Sequence, residues 1–185
     1  MKYVNITNRR GDDGYTDLCL GGRVIKTDSR IDTVGDIDEF NALLGLCHPY
    51  LLMKPQVLNF EKYIKLIQKD LTSIMGEVTT DDINKERYIE KFGGITDKHI
   101  EVLDFILSHC GEYLDDKGKS QNGWSLYGEK GEASARFHYA TTVCRRCERK
   151  ILDLKFSGFE IREELIRYFN RLSKVLYIIA IVYEK

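Results

Sequence analysis

The sequence has little proline, no long hydrophobic run and almost no net charge, and each shortage excludes a class of protein. Two prolines among 185 residues leave long stretches free to form helices. The longest apolar run, residues 175–183, is nine residues long, whereas a membrane-spanning helix needs about 20. A formal net charge of −1 argues against binding nucleic acid through bulk phosphate attraction. We therefore expect neither a membrane span nor a nucleic-acid partner.

The beginning of the chain and its cysteines predict the cellular compartment. The first residues lack the apolar core of a secretory signal, and five cysteines are an odd number that suits free thiols. Both features predict a cytoplasmic protein. Hydrophobic residues make up 43% of the chain, and 185 residues is the length of one domain with a sizeable core, so we expect a single domain over residues 1–185.

Five segments after residue 30 repeat their apolar residues at alternating spacings of three and four. The first runs from Ile37 through Leu51 near Pro49, and the others cover residues 60–78, 100–114, 133–154 and 165–183. This spacing puts one apolar stripe on each helix, and such stripes are buried when helices pack nearly parallel. The sequence predicts an all-α fold, a five-helix bundle with left-handed, up-and-down packing like that of a four-helix bundle.

Residues 1–29 differ from the bundle over residues 30–185, because they hold four glycines and no helical stripe. They predict an ordered loop or a short hairpin before the first helix. Within the bundle, Thr96 and Asp97 suit the start of the third helix, and Gly158 suits the end of the fourth. A second irregular stretch, residues 115–131, joins these two helices.

Several common catalytic motifs are missing. No Glu lies three residues before any His, as a di-iron bundle requires. Cys144 and Cys147 have the spacing of zinc ligands, but no second pair exists, and both fall on an apolar stripe where core packing explains them. There is neither a Gly-x-Ser-x-Gly nucleophile motif nor a Walker A loop. The sequence therefore offers no nucleophile–base pair and no metal site of its own.

A first cluster of interest covers residues 7–16, which combine glycines, hydroxyls and two arginines. Glycines let successive backbone N–H groups converge on one point, so this composition suits an anion such as a polyphosphate. The alternative is an ordinary Asp-Gly turn with exposed arginines, which composition by itself slightly favours. Lys26, further along, either adds a phosphate contact or is simply solvated.

A second cluster lies in the fourth predicted helix, at residues 145–149. Arg145 and Arg149 are four residues apart, so their guanidinium groups share one face, and Glu148 lies between them and can orient one of them. Arginine forks suit phosphate groups and charged subunit interfaces. A solvated charged face is the commoner alternative.

Taken in order, these motifs resemble one family. Residues 9–18, Lys26, residues 35–41, residues 145–149 and residues 170–173 resemble the ATP:cob(I)alamin adenosyltransferases of the propanediol-utilisation type over nearly the whole chain. The resemblance implies a homotrimer with ATP bound between subunits. It also implies transfer of the 5′-deoxyadenosyl group of ATP to the cobalt of a reduced corrinoid, cob(I)alamin, with Mg²⁺ held through the ATP phosphates. A corrinoid reductase and an adenosylcobalamin-dependent enzyme would be its protein partners.

The same resemblance implies which residues act. Asp38, Arg145 and Arg149 would be catalytic, with Asp38 paired to Arg145 across the subunit interface. Cobalt(I) is itself the nucleophile, which agrees with the missing nucleophile–base pair. The implied ATP-binding residues are Thr7, Asn8, Arg9, Arg10, Gly11, Asp12, Gly14, Thr16, Lys26, Arg145, Glu148, Arg149 and Asn170.

The sequence departs from the family pattern mainly on the corrinoid side. Residues 124–131 replace the usual Phe-x-x-Pro-Gly-Gly, with Trp124 or Leu126 in the place of the aromatic residue. Thr141 stands where the family has Arg, and Lys174 and Ile181 replace a usual Asp and Arg. These departures keep a second reading open: a non-catalytic trimeric relative that binds ATP or a corrinoid as a carrier or regulator.

Overall fold

The computed structural model describes residues 11–54, 56–119 and 126–184, which form a short antiparallel hairpin followed by helices. The hairpin consists of β1 (Tyr15–Asp17) and β2 (Arg23–Ile25), with Thr16 opposite Val24. The helices in these ranges are α1 (Ser29–Cys47), α2 (Phe60–Val78), α3 (Lys85–Phe92), α4 (Asp97–Asp116), α5 (Glu132–Phe156) and α6 (Glu163–Val182). The predicted helical bundle is confirmed, with five long helices and one short addition.

Local signals explain most helix ends. Asp28 caps α1 by accepting a hydrogen bond from the Arg30 N–H at 2.9 Å. The helix ends at Cys47, two residues before Pro49, and a 3₁₀ turn then carries the chain to the buried Leu51, which the predicted stripe had placed in the helix. Thr96 caps α4 in a capping box with His99. Gly158 follows the end of α5 with a φ of +94°.

Helix α5 packs against α1 and α6, α6 also packs against α4, and α2 packs against α1. A ring contact between Tyr63 and Phe105 brings α2 beside α4. The apolar stripes of these helices meet in one continuous core that buries Phe40, Phe60, Phe137 and Phe169 completely. No helix in the described parts of the chain is both long and apolar enough to cross a membrane.

The cysteines are free thiols, four of them in the core and Cys19 exposed. Burial raises the pKa of Cys47, Cys110 and Cys147 to about 12, so these groups stay protonated. The predicted packing role of Cys144 and Cys147 is confirmed, since both are fully buried. Within the ranges that the structure covers, no group of three or more His, Cys, Asp or Glu side chains could hold a metal ion.

The short helix α3 has no counterpart in the sequence prediction. It buries only Lys85 and Tyr88, and the Tyr88 hydroxyl donates to the Ser73 carbonyl at 2.9 Å. Gly76 is required beneath this tyrosine, because a Cβ there would lie 2.2 Å from the hydroxyl oxygen. Two buried positions in eight residues are too few to produce a recognisable stripe.

A buried ion pair, which we call the Glu77 junction, joins the end of α2 to the start of α6. Arg162 donates through Nε and Nη2 to the two carboxylate oxygens of Glu77 at 2.9 and 2.8 Å, and through Nη1 to the Ile95 carbonyl at 3.0 Å. Lys85 donates to the Glu77 carbonyl at 2.8 Å. A side chain at Gly94 would meet Arg162, 2.5 Å from its Cβ. The Glu77 side chain is buried, whereas that of Arg162 is 23% exposed.

Candidate functional site

The hairpin brings three of the predicted nucleotide contacts together. Gly11 and Gly14 have φ values of +105° and +82°, and the Gly14 N–H donates to the Gly11 carbonyl at 3.2 Å. The Lys26 N–H donates to the Gly14 carbonyl at 2.9 Å. Gly11 has a left-handed φ, and a Cβ there would lie 3.1 Å from the Tyr15 carbonyl oxygen, so that position favours glycine; the Lys26 ammonium lies 3.3 Å from the same point. Glycines with left-handed φ values beside a lysine are a combination suited to an anion.

Two other charged side chains of the hairpin, Arg23 and Asp13, pair with each other. Arg23 donates to both carboxylate oxygens of Asp13 at 3.0 Å, and this contact lowers the pKa of Asp13. Asp12 is exposed, and Thr16 lies half-buried in β1. Lys26 forms no salt bridge with the part of the chain that the structure describes, so its charge is available. The predicted contacts Thr7, Asn8, Arg9 and Arg10 lie outside the described residues.

The hairpin is fastened to the bundle at the loop that follows α2. The Cys19 N–H donates to the Thr79 carbonyl at 2.9 Å, and the Asp81 N–H donates to the Leu20 carbonyl at 3.2 Å. Arg30 of α1 bridges Asp28 and Asp81 with contacts of 3.0 Å. The tight turn between the strands is therefore held between the beginning of α1 and the end of α2.

Three of the remaining predicted residues lie on one surface of α5, beside Lys174 of α6. We call Arg145, Glu148, Arg149 and Lys174 the arginine face. Arg145 and Arg149 are exposed, and Arg149 donates to the Arg145 carbonyl at 3.3 Å. Burial raises the pKa of the half-buried Glu148, against the opposing effect of the three nearby cations. Neither arginine forms a salt bridge with any residue that the structure describes.

Arg146 has a different role from its two motif neighbours. It forms salt bridges with Asp36 at 3.1 Å and with Glu39, both on α1, and Lys150 pairs with Asp32 one turn further along. These contacts fasten α5 to α1 of the same chain. Arg146 therefore holds two helices of the same chain together, whereas Arg145 and Arg149 are exposed to solvent.

Asn170 and Asp38 lie on other exposed surfaces. Asn170 of α6 lines a cavity of about 150 Å³ together with Asp104 and Arg171, whose side chains pair at 2.8 Å. Asp38 is exposed and lies on the part of α1 that faces away from both α5 and the core. Within the described ranges, no hydrogen bond or salt bridge joins the hairpin or Asp38 to Arg145 or Arg149. In the described part of a single chain, these two groups of predicted contacts are therefore not joined by a hydrogen bond or a salt bridge.

The segment before α5 carries the predicted corrinoid contacts. Leu126 is 67% exposed, and the ring of Tyr127 stacks on that of His138 at 4.6 Å. Trp124 lies outside the described residues. Thr141, which replaces an arginine of the family pattern, is buried and donates to the Phe137 carbonyl at 2.8 Å. No charge is present at that position of α5.

Two important residues were not predicted from the sequence. Lys174 was noted as a departure, but its position beside Glu148 became visible only when α5 and α6 were packed. Arg162 was not identified at all. A signal for it existed, because Glu77 follows Ile74 on the otherwise apolar stripe of α2, and a buried acid needs a cationic partner.

Comparison with known proteins gives consistent results. Residues 6–183 match the model of the family described as cobalamin adenosyltransferase. The chain is 32% identical over 178 residues to the corrinoid adenosyltransferase PduO of Salmonella typhimurium (strain LT2), covering 95% of this chain and 48% of that protein. It is 31% identical over 183 residues to a corrinoid adenosyltransferase of Citrobacter freundii, covering 97% and 94%. The chain therefore spans about half the length of the first relative and nearly all of the second.

The fold also matches a solved structure. A variant PduO-type ATP:corrinoid adenosyltransferase from Lactobacillus reuteri, complexed with cobalamin and ATP, superposes with a TM-score of 0.80 at 24% identity. The match covers 95% of this chain and 88% of that one. At this level of identity the likeness supports the helical architecture.

Proposed function

The chain belongs to the cobalamin adenosyltransferase family, and from this premise we propose that it transfers the 5′-deoxyadenosyl group of ATP to a reduced corrinoid. In the reaction, the cobalt(I) electron pair attacks C5′ of ATP, a cobalt–carbon bond forms, and the C5′–O bond breaks. Triphosphate leaves with the bond electrons, and the cobalt becomes formally cobalt(III). The exposed Arg145 and Arg149, which form no salt bridge with any described residue, are the observation that carries this proposal.

We propose that the nucleotide is bound between two subunits. The hairpin supplies Gly11, Asp12, Gly14, Thr16 and Lys26 from one chain, together with residues 7–10. The neighbouring chain supplies Arg145, Glu148, Arg149 and Asn170. The lack of a hydrogen bond or salt bridge between these two sets in the described part of one chain supports this arrangement. Cations around the triphosphate would stabilise the negative charge that gathers on it as it leaves.

The exposed face of α1 supports a homotrimer. Gly35, Asp38, Ala42 and Gly45 follow one another along this face, and a Cβ at either glycine would have nothing within 4 Å. Leu46 beside them is 58% exposed. Small residues let a second chain approach closely, and Asp38 among them would reach Arg145 of that chain. A charge pair buried in this way would matter for assembly and for activity.

Mg²⁺ and the corrinoid complete the proposal. The described residues include no cluster of acidic or histidine side chains for a metal, so the ion would be held by phosphate oxygens, where it neutralises charge. The exposed Leu126 and Tyr127 suit the apolar face of a corrinoid. The proposed protein partners are a corrinoid reductase and an adenosylcobalamin-dependent enzyme, and the free cysteines support a cytoplasmic location.

The test is anaerobic incubation of the purified protein with ATP, Mg²⁺ and chemically reduced cob(I)alamin. The absorbance change to adenosylcobalamin is followed, and triphosphate is assayed in the same samples. We expect the two products in equal amounts, and none when ATP is omitted. ATP binding without product would instead support the carrier or regulatory role. Thr141 and residues 124–131 would then be the first positions to test as the cause of the lost activity.

The oligomeric state is tested separately by sedimentation of the wild type and of the Gly45→Leu variant. We expect a trimer for the wild type and dissociation for the variant, because a leucine there would obstruct the close approach of α1. Ser108→Leu, which adds the same leucine at an exposed position of α4 and leaves this face of α1 unchanged, is the matched control. A monomeric wild type would contradict the proposed intersubunit site.

A further inference from the structure

Three parts of the chain meet at one residue, Glu184, at the end of the bundle. Glu184 follows α6 and is 8% exposed. Its carboxylate accepts a hydrogen bond from Lys130 at 2.8 Å, and its main-chain carbonyl accepts one from Lys119 at 2.9 Å. Lys119 follows α4 and Lys130 precedes α5. One residue therefore fastens both ends of the connection between α4 and α5.

An aromatic layer lies beside this contact. His138 is buried, and its Nε2 lies 3.9 Å from the free carboxylate oxygen of Glu184, which is too far for a direct hydrogen bond. One face of its ring stacks on Tyr127, and Tyr177 of α6 meets it edge-on at 5.7 Å. Tyr127 nevertheless remains 59% exposed. The layer thus supports Tyr127 from below and leaves its outer surface available.

The turn itself is built to hold this geometry. Gly128 and Gly131 have φ values of +100° and +110°, and the Gly131 N–H donates to the Gly128 carbonyl at 3.3 Å. Lys130 is the cation within this turn. Its pairing with Glu184 fixes the turn against the end of α6, and Leu126 and Tyr127 are carried on its outer side.

We propose that Glu184 is a positioning residue for the corrinoid, acting through Lys130 and Lys119 to hold the surface formed by Leu126 and Tyr127. This inference rests on the proposed function, since it concerns the substrate side of the same site. Glu184 does not touch the substrate. It sets where the apolar contacts lie, so its loss weakens corrinoid binding while the nucleotide half of the site remains intact.

The experiment compares Glu184→Gln with the wild-type protein. The glutamine keeps the size of the side chain and the main-chain contact to Lys119, but it removes the charge that pairs with Lys130. We expect faster amide hydrogen exchange in peptides covering residues 126–131. We also expect the KM for cob(I)alamin to rise about fivefold to tenfold, as for a lost charged hydrogen bond. The KM for ATP should stay within about twofold, a change of less than 0.5 kcal/mol.

Two further sets of variants separate positioning from stability. Lys130→Met should reproduce both the faster exchange and the raised KM for cob(I)alamin. Lys130→Arg should behave like the wild type, because arginine keeps the ion pair. Glu163→Gln makes the same chemical change at the exposed first residue of α6 and should alter neither quantity. A variant that only unfolds more easily would raise both KM values or neither.

The outcomes distinguish this inference from the proposed function. Unchanged exchange at residues 126–131 in Glu184→Gln would overturn the inference, and so would an equal rise in the KM for ATP. A wild-type protein that makes no adenosylcobalamin would reject the proposed function, and the corrinoid role of Glu184 with it. An unchanged KM for cob(I)alamin in Glu184→Gln with an active wild type would reject the inference by itself.

Discussion

The Glu77 junction and the arginine face use the same residue type in opposite ways. In the junction, all three guanidinium nitrogens of Arg162 donate to Glu77 or to a backbone carbonyl. On the arginine face, Arg145 and Arg149 are exposed and form no salt bridge with the residues that the structure describes. The structural arginine has its donors paired within the chain, whereas the arginines proposed to bind a ligand are exposed to solvent. The sequence motif around an arginine does not by itself distinguish these two cases.

The physical reason lies in desolvation. A carboxylate as deeply buried as Glu77 must be neutralised, because an unpaired charge away from water costs several kcal/mol. Arginines in water have no such requirement, and most of their donors remain accessible to a phosphate. The first arrangement is complete as it stands, whereas under the proposed function the second would be completed by a ligand or a neighbouring chain.

Removing Arg162 gives the largest expected effect and tests the structural half of the comparison. Arg162→Met leaves the Glu77 carboxylate buried without its partner, so we expect the free energy of unfolding to fall by about 3–5 kcal/mol. The measurement is urea unfolding followed by circular dichroism. Arg167→Met, which breaks an exposed pair with Asp97, is the control.

The double variant Arg162→Met with Glu77→Gln should recover part of that loss, because it removes the unpaired charge. An unfolding midpoint for Arg162→Met equal to that of the wild type would contradict the structural assignment of this arginine.

Changing Arg145 tests the binding half. Arg145→Lys keeps the charge but loses the forked pair of donors, so we expect turnover to fall about 100-fold, similar to the loss of one donor to a developing anion. Thermal stability in the absence of ligand should change little, since Arg145 has no structural partner in the described chain and lysine keeps the charge that would pair with Asp38 of a neighbouring subunit. The measurements are the adenosylcobalamin assay and a melting curve on the same preparation.

Turnover close to that of the wild type would remove Arg145 from the site. A large drop in the melting temperature without ligand would instead assign it the role that Arg162 has.

Asp70 sharpens the comparison, because it is a largely buried acid without an arginine. It accepts a hydrogen bond from Tyr168 at 2.9 Å through one carboxylate oxygen, and the imidazole Nε2 of His99 lies 3.8 Å from the other. Burial raises its pKa. The folded state therefore favours the protonated form, and this contribution to stability is full below the ordinary pKa of Asp and is lost as the pH rises through the raised pKa.

Asp70→Asn removes that titration while keeping an oxygen for Tyr168. We expect a flatter dependence of the melting temperature on pH above pH 4, with a change smaller than the loss in Arg162→Met. Asp104→Asn, a more exposed acid on α4, serves as the comparison. An unchanged pH profile in Asp70→Asn would contradict the raised pKa.

Arg146 gives the smallest expected effect. Its salt bridges with α1 lie near the surface, and exposed pairs contribute about 0.2–1 kcal/mol, so Arg146→Met should lower the free energy of unfolding by no more than this. Urea unfolding beside Arg162→Met provides the measurement. A fall in the free energy of unfolding as large as that in Arg162→Met would show that solvent exposure does not predict how much these two arginines contribute to stability.

The five long helices could be predicted because each carries an unbroken apolar stripe. The short α3 could not, since Lys85 and Tyr88 are its only buried residues and one of them is charged. The prediction that Leu51 belongs to the first helix was wrong for a related reason. The apolar spacing correctly indicates that Leu51 is buried, but it does not show that the helix ends earlier, at Cys47.

The candidate site was predictable in its residue types and not in their partners. Both arginines of the pair at positions 145 and 146 look alike in the sequence, and only the packing of α5 against α1 assigns Arg146 to Asp36 and Glu39. Likewise, nothing near residue 20 indicates that the hairpin is held by the loop after α2. Contacts between residues about 60 positions apart depend on the tertiary fold.

The attachment of the hairpin to the loop after α2 has a thermodynamic consequence. Since Cys19 and Leu20 are hydrogen-bonded to residues 79–81, opening the hairpin and loosening the end of α2 are coupled events. A ligand held by Gly11, Gly14 and Lys26 would shift that equilibrium by mass action, adding about 2.7 kcal/mol of folding stability at a concentration 100 times its Kd. The helical bundle would thereby report, as a rise in its melting temperature, the occupancy of a site made largely outside its helices.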